Sequence, residues 1–184
     1  MADTIKSTSV TSVHGQVVLN PDGSNVGSGG SSFSSDTNSP LDNFYMVKAS
    51  PAAFAGGTTN ARGDVDGTSD PKTLFTVTGD VLLGVYGVCT VDLVSAGGGS
   101  VSVGLTGNTA LLIPSTTATT IDANELWMDA TPAIGKVIDS LTYYVVGNGV
   151  DVVEDSITAD ITAGQIYYIC LWRPLSVGST VVAA

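Results

Sequence analysis

An all-β fold is predicted: a β-sandwich of jelly-roll type preceded by an extended N-terminal arm. Three features of the sequence point to it. From Leu83 to Val94 the residues alternate with period two, the mark of a strand with one face in a core. Gln165–Trp172 (QIYYICLW) also alternates, with apolar side chains on both faces. Elsewhere short β-prone segments recur at a spacing of roughly 8–14 residues between Gly and Asn turns, and no segment sustains helical periodicity. Asp122–Asp129 comes nearest to a helix and is short.

The 184 residues divide into an arm with a linker, residues 1–40, and a sandwich domain, residues 41–184. In the arm, Ser9–Asn20 alternates weakly and ends in the turn Asn20-Pro21-Asp22-Gly23. Gly27–Pro40 is Gly/Ser-rich and has too little apolar area to offset its ordering entropy without a partner surface. In the body, Asn43–Ala49 is a short strand, followed by a loop of small residues from Ser50 to Asp70. Leu74–Thr78 and Val81–Val94 are strands separated by Gly79-Asp80. The second is long enough to span roughly 45 Å, so a bend at Gly84 or Gly87 is expected. Leu83, Val85, Gly87, Cys89, Val91 and Leu93 form its buried face.

Ser100–Leu105, a turn at Gly107-Asn108, Ala110–Ile113, Thr116–Ile121 and Asn124–Met128 follow. Lys136–Val146 runs into the tight turn Gly147-Asn148-Gly149, and Val150–Glu154 and Ile157–Ile161 precede the last strand. That strand, Gln165–Trp172, is central in its sheet or covered by a neighbouring subunit, so a homo-oligomer, a trimer for choice, is expected. Cys89 and Cys170 fall on apolar strand faces. Buried reduced thiols are expected there, a disulfide between two core strands being the alternative.

Seventeen acidic residues against six basic ones give a formal charge of −11, which repels nucleic acid and anionic membrane alike. Neither is expected as a partner. The first residues contain no apolar run of signal-peptide length and no stretch approaches a membrane span, so synthesis and folding in a cytoplasm are expected.

Groups able to do chemistry are sparse. The single histidine, His14, lies in the arm, and no Gly-rich phosphate loop joins a strand to a helix. No enzymatic activity is expected. Asp64, Asp66 and Asp70 in GDVDGTSD are candidate calcium ligands, because a hard cation takes several carboxylates from one tight loop. A polar turn leading to the next strand explains the same residues. No other cofactor is indicated. Arg62-Gly63-Asp64 spells an integrin-type tripeptide, a short match that carries little weight.

Gly63–Asp92, Gly104–Ile113, Thr116–Asp129 and Ile169–Leu175, with Gly15–Gly27 of the arm, resemble a group of tailed-bacteriophage and prophage virion structural proteins. The resemblance covers less than half of the chain. It implies a virion component present in many copies on a capsid or tail, associated with other virion proteins, with no catalytic residues to carry over. The resulting expectation is an outward-facing capsid decoration or head-fibre subunit anchored by its arm. The alternative is a receptor- or glycan-binding module of a tail or fibre. Trp127, Tyr143 and Tyr144 are the aromatics such a module would expose.

Overall fold

Val81–Val94 forms one strand, β3, around which the domain is built. Its inward residues Val81, Leu83, Val85 and Cys89 are fully buried, as period-two alternation requires. The computed structural model describes residues 44–184, and Tyr45–Ala184 is one compact unit. The arm and linker, residues 1–40, lie outside the described residues, as does His14.

Among the described residues ten strands form two antiparallel five-stranded sheets enclosing one core. The first sheet has the order β1-β9-β3-β6, with β7 also paired to β3. Its members are β1 (Tyr45–Ala49), β3, β6 (Leu126–Trp127), β7 (Tyr144–Val146) and β9 (Ala163–Pro174). The second has the order β10-β2-β8-β4-β5. It comprises β2 (Lys72–Thr78), β4 (Ser100–Leu105), β5 (Asn108–Thr117), β8 (Val152–Ile157) and β10 (Thr180–Ala183).

β3 pairs with β9 along its whole length, from Val81↔Pro174 to Val94↔Ala163. The register shifts between Cys89 and Val91 and again before Val94, where Gly164 lies so close to Leu93 that a Cβ would stand 2.4 Å from Leu93 Cδ2. These irregularities, and not Gly84 or Gly87, break the regularity of the strand. They turn Val91 outward, 54% exposed, which corrects its expected place on the buried face. Gly87 instead makes room for packing: a Cβ there would touch Ile166 at 3.0 Å and Trp127 at 3.3 Å.

Several expected segments merge. Ala110–Ile113 and the start of Thr116–Ile121 are one strand, β5, running through Pro114; the missing N–H is tolerated because β5 is an edge strand. Val150–Glu154 supplies Val152–Glu154 to the single strand β8, whereas Ile157–Ile161 supplies only Ile157 and residues 158–161 are not strand. Lys136–Val146 is not a strand over most of its length. It holds a 3₁₀ turn at Ile138–Ser140 and only three residues of β7. Lys136 Nζ donates to both Asp129 carboxylate oxygens at 2.6 Å, tethering this segment locally.

The loop between β1 and β2 has its own order. Five successive turns share their end residues: the amides of Thr58, Ala61, Asp64, Gly67 and Asp70 donate to the carbonyls of Ala55, Thr58, Ala61, Asp64 and Gly67. The chain thus satisfies its backbone locally without becoming helix or strand.

Candidate binding surface

β9 lies between β1 and β3, so it is a central strand and its two apolar faces meet different surroundings. Ile166, Tyr168, Cys170 and Trp172 point into the core between the sheets. Tyr167, Ile169 and Leu171 stand on the outer face. Ile169 and Leu171 are nevertheless buried. Leu141 and Tyr143 lie over Gly84 on this face, where a Cβ would meet each of them at 3.0 Å. Cover therefore comes from the chain's own 128–143 segment, so Ile169 and Leu171 do not in themselves require a second subunit.

Beside that cover the outer face carries aromatic rings together with the exposed cations Lys48 and Arg173. Register places Lys48, Ile169 and Tyr86 in one row across β1, β9 and β3, and Tyr167 opposite Val88 in the next. Tyr86, Tyr143 and Tyr167 are half-buried. Burial raises the Tyr86 hydroxyl's pKa, helped by Tyr167 beside it; burial likewise raises Tyr143's, helped by Asp139 and Tyr86. Register sets Tyr167 diagonal to Tyr86, and Tyr143 packs over Gly84 two residues before Tyr86. Lys48 Nζ stands 3.9 Å from the Tyr167 ring centroid, a cation–π geometry. Met46 and Val145, on the same face, are 67% and 71% exposed. Such a surface can take a partner by stacking and apolar contact, with Lys48 and Arg173 as its cations.

Of the expected aromatics, Trp127 is wholly buried and its Nε1 donates to Thr116 Oγ1 at 3.0 Å. Tyr144 packs against the core. Only Tyr143 belongs to the surface. Tyr86, Tyr167 and Lys48 were not foreseen. The alternation set Tyr86 opposite the apolar face of its strand and Tyr167 on one of two apolar faces; pairing β3 with β9 in register is what unites them.

Arg62 of the Arg-Gly-Asp tripeptide is 5% exposed, so it is a core residue and not a loop-tip recognition group. Its Nε and Nη2 donate to Glu154 Oε1 and Oε2 at 2.8 and 2.6 Å. Nη1 donates to the Ala52 carbonyl at 2.7 Å, and the guanidinium lies 3.8 Å from the Phe54 ring centroid. The Tyr168 hydroxyl donates a short hydrogen bond to Glu154 Oε2. Burial alone would lower the Arg62 pKa; the adjoining Glu154 outweighs it and holds it above its ordinary value. Burial also drives the Tyr168 hydroxyl well above the ordinary phenol range. This cluster joins the loop to both sheets, through Glu154 on β8 and Tyr168 on β9. Sequence reading missed it because its members are far apart in the chain.

The three aspartates considered for calcium do not converge. Asp64 Oδ2 accepts the Asn60 amide at 2.6 Å inside the turn series, whereas Asp70 Oδ1 accepts the Ser156 amide of β8 at 2.9 Å. Among the described residues no group of three His, Cys, Asp or Glu side chains is arranged to hold a metal ion. Partial burial, with Asp155 and Glu154 nearby, pushes the Asp70 carboxyl up to about 7 against the pull of the Ser156 amide.

Cys89 and Cys170 are both buried and free. Cys89 pairs with Ile166 and Cys170 with Val85, so they sit four residues apart along β9, roughly 13 Å. Burial raises the thiol pKa to about 11 at Cys89 and about 12 at Cys170, which keeps both protonated and unreactive.

No family model, no curated protein and no solved structure matches this chain.

Proposed function

We propose that this chain is a structural component of a phage virion, an outward-facing capsid decoration or head-fibre subunit anchored by residues 1–40 as an N-terminal arm. It works without catalysis, nucleic acid or membrane, by burying surface against other virion proteins and against its own copies, three per assembly. Repetition around a symmetric particle multiplies contacts that are individually weak.

The observation that carries this reading is the exposure of Met46 and Val145 on the outer face of the first sheet, beside its half-buried tyrosines. Contiguous apolar surface beside well-packed strands is characteristic of a protein completed by neighbours. The jelly-roll type is the finer reading of the sandwich. It is supported by a chain that changes sheet at nearly every connection: β1 to β2, β2 to β3, β3 to β4, β5 to β6, and each step from β7 to β10.

Quantitative mass spectrometry of purified particles tests the proposal. The chain is expected at a fixed ratio to the major capsid protein, and its absence from particles would refute the assignment. Light scattering of the isolated chain tests the oligomer, since a monomer that also fails to assemble on particles excludes a multimeric subunit.

A further inference from the structure

We propose that the outer face of the first sheet around Lys48, Tyr86 and Tyr167 binds an acidic polysaccharide, one whose sugar rings carry carboxylates. The inference is independent of a place on a virion.

The first argument is shape. Lys48 and Tyr86 stand two strands apart, roughly 10 Å, with Tyr167 on the strand between them and displaced by one row. Tyr143 extends the aromatic group beyond Tyr86. Tyrosine offers an apolar ring to the C–H face of a pyranose and a hydroxyl to its hydroxyl groups. An acidic peptide would satisfy Lys48 but has no flat C–H faces to set against neighbouring tyrosines.

The second argument is charge. The chain carries −11 overall, yet β1 and β9 contain no Asp or Glu, and the one acid of β3 is Asp92, beyond the register shift at the far end. Lys48 is exposed on this acid-free area. Asp139, which acts on Tyr143, marks its border. At physiological salt, fields fade over about 8 Å, so an incoming carboxylate responds to Lys48 more than to the distant loop acids. Lys48 already rests over the Tyr167 ring, and a carboxylate adds an ionic partner that a neutral glycan does not.

Calorimetric titration of the full chain with polygalacturonate tests this, with dextran and poly-glutamate as the comparisons. Binding to polygalacturonate that weakens with salt is expected, with none to dextran. Lys48→Glu is expected to reduce affinity by at least about tenfold without moving the unfolding midpoint, because Lys48 is exposed. Tyr86→Ala and Tyr167→Ala are expected to reduce affinity likewise, with a lower unfolding midpoint because both rings are half-buried. No binding by the unaltered chain, equal binding of dextran, equal binding of poly-glutamate, or undiminished affinity in Lys48→Glu would each overturn the proposal.

Discussion

Arg62 and Glu154, 92 residues apart in the chain, meet as a two-pronged ion pair inside the core. A buried pair contributes little net stability, but losing one partner strands the other charge without water. Arg62→Met is therefore expected to cost about 3–5 kcal/mol, read as a lower urea midpoint. Adding Glu154→Leu and Tyr168→Phe removes the stranded groups and recovers much of that loss. If Arg62→Met unfolds at the wild-type midpoint, the pair does not fasten the loop.

Asp70 gives the fold a pH dependence of defined sign. Its folded pKa of about 7 exceeds the ordinary 3.8, so between these values the native state holds more protons than the unfolded chain. The stability it contributes is complete below the lower value and is lost as pH rises through the upper one. Asp70→Asn keeps an oxygen for the Ser156 amide and removes the charge. At pH 8 the variant is expected to be more stable by about 1 kcal/mol, a figure that allows for solvent screening. The advantage shrinks towards pH 4. An equal difference at both pH values would contradict this assignment.

Thiol labelling distinguishes buried cysteines from accessible ones. At pH 8 neither Cys89 nor Cys170 is expected to react with an aromatic disulfide reagent in the native protein, while both react in denaturant. Rapid native labelling of either would show that its strand opens.

Glycine at 104 is dictated by backbone proximity. A Cβ there would stand 2.1 Å from the Asn108 carbonyl oxygen, inside the β4–β5 hairpin, whereas at Gly57 the nearest atom is 3.9 Å away. Gly104→Ala is expected to destabilise by about 3 kcal/mol, at the upper end for overpacking. Gly57→Ala is expected to stay within about 1 kcal/mol of the parent. Thermal unfolding of the two variants side by side checks the contrast.

The strongest strands were legible because their pattern is local. Val81–Val94 ends where the alternation ends, and the two faces of Gln165–Trp172 announce a central strand. Val91 was misplaced because a register shift is a property of two strands, and one strand's alternation does not reveal it. Lys136–Val146 resembles a strand in composition, yet only Tyr144–Val146 is one, and the Lys136–Asp129 contact ties its start into a loop. The binding face was half legible: Tyr86 fell opposite its strand's apolar face, but Tyr167 stood on one of two apolar faces and nothing joined the two. Arg62 stood in a loop of small polar residues and gave no sign of its partner on β8.

The turns from Ala55 to Asp70 make the length of that loop a quantised property. Each closes after three residues and begins on the last residue of the one before. Between Thr68, whose amide donates to Asn60 Oδ1, and Asp70, gaining three residues adds a whole turn and leaves the amides of the turn series with their carbonyls. Gaining one or two would orphan a donor and an acceptor together. Length differences among homologous chains are therefore expected to fall here in steps of three, and a designer wishing to insert a peptide epitope would do best to respect the same count.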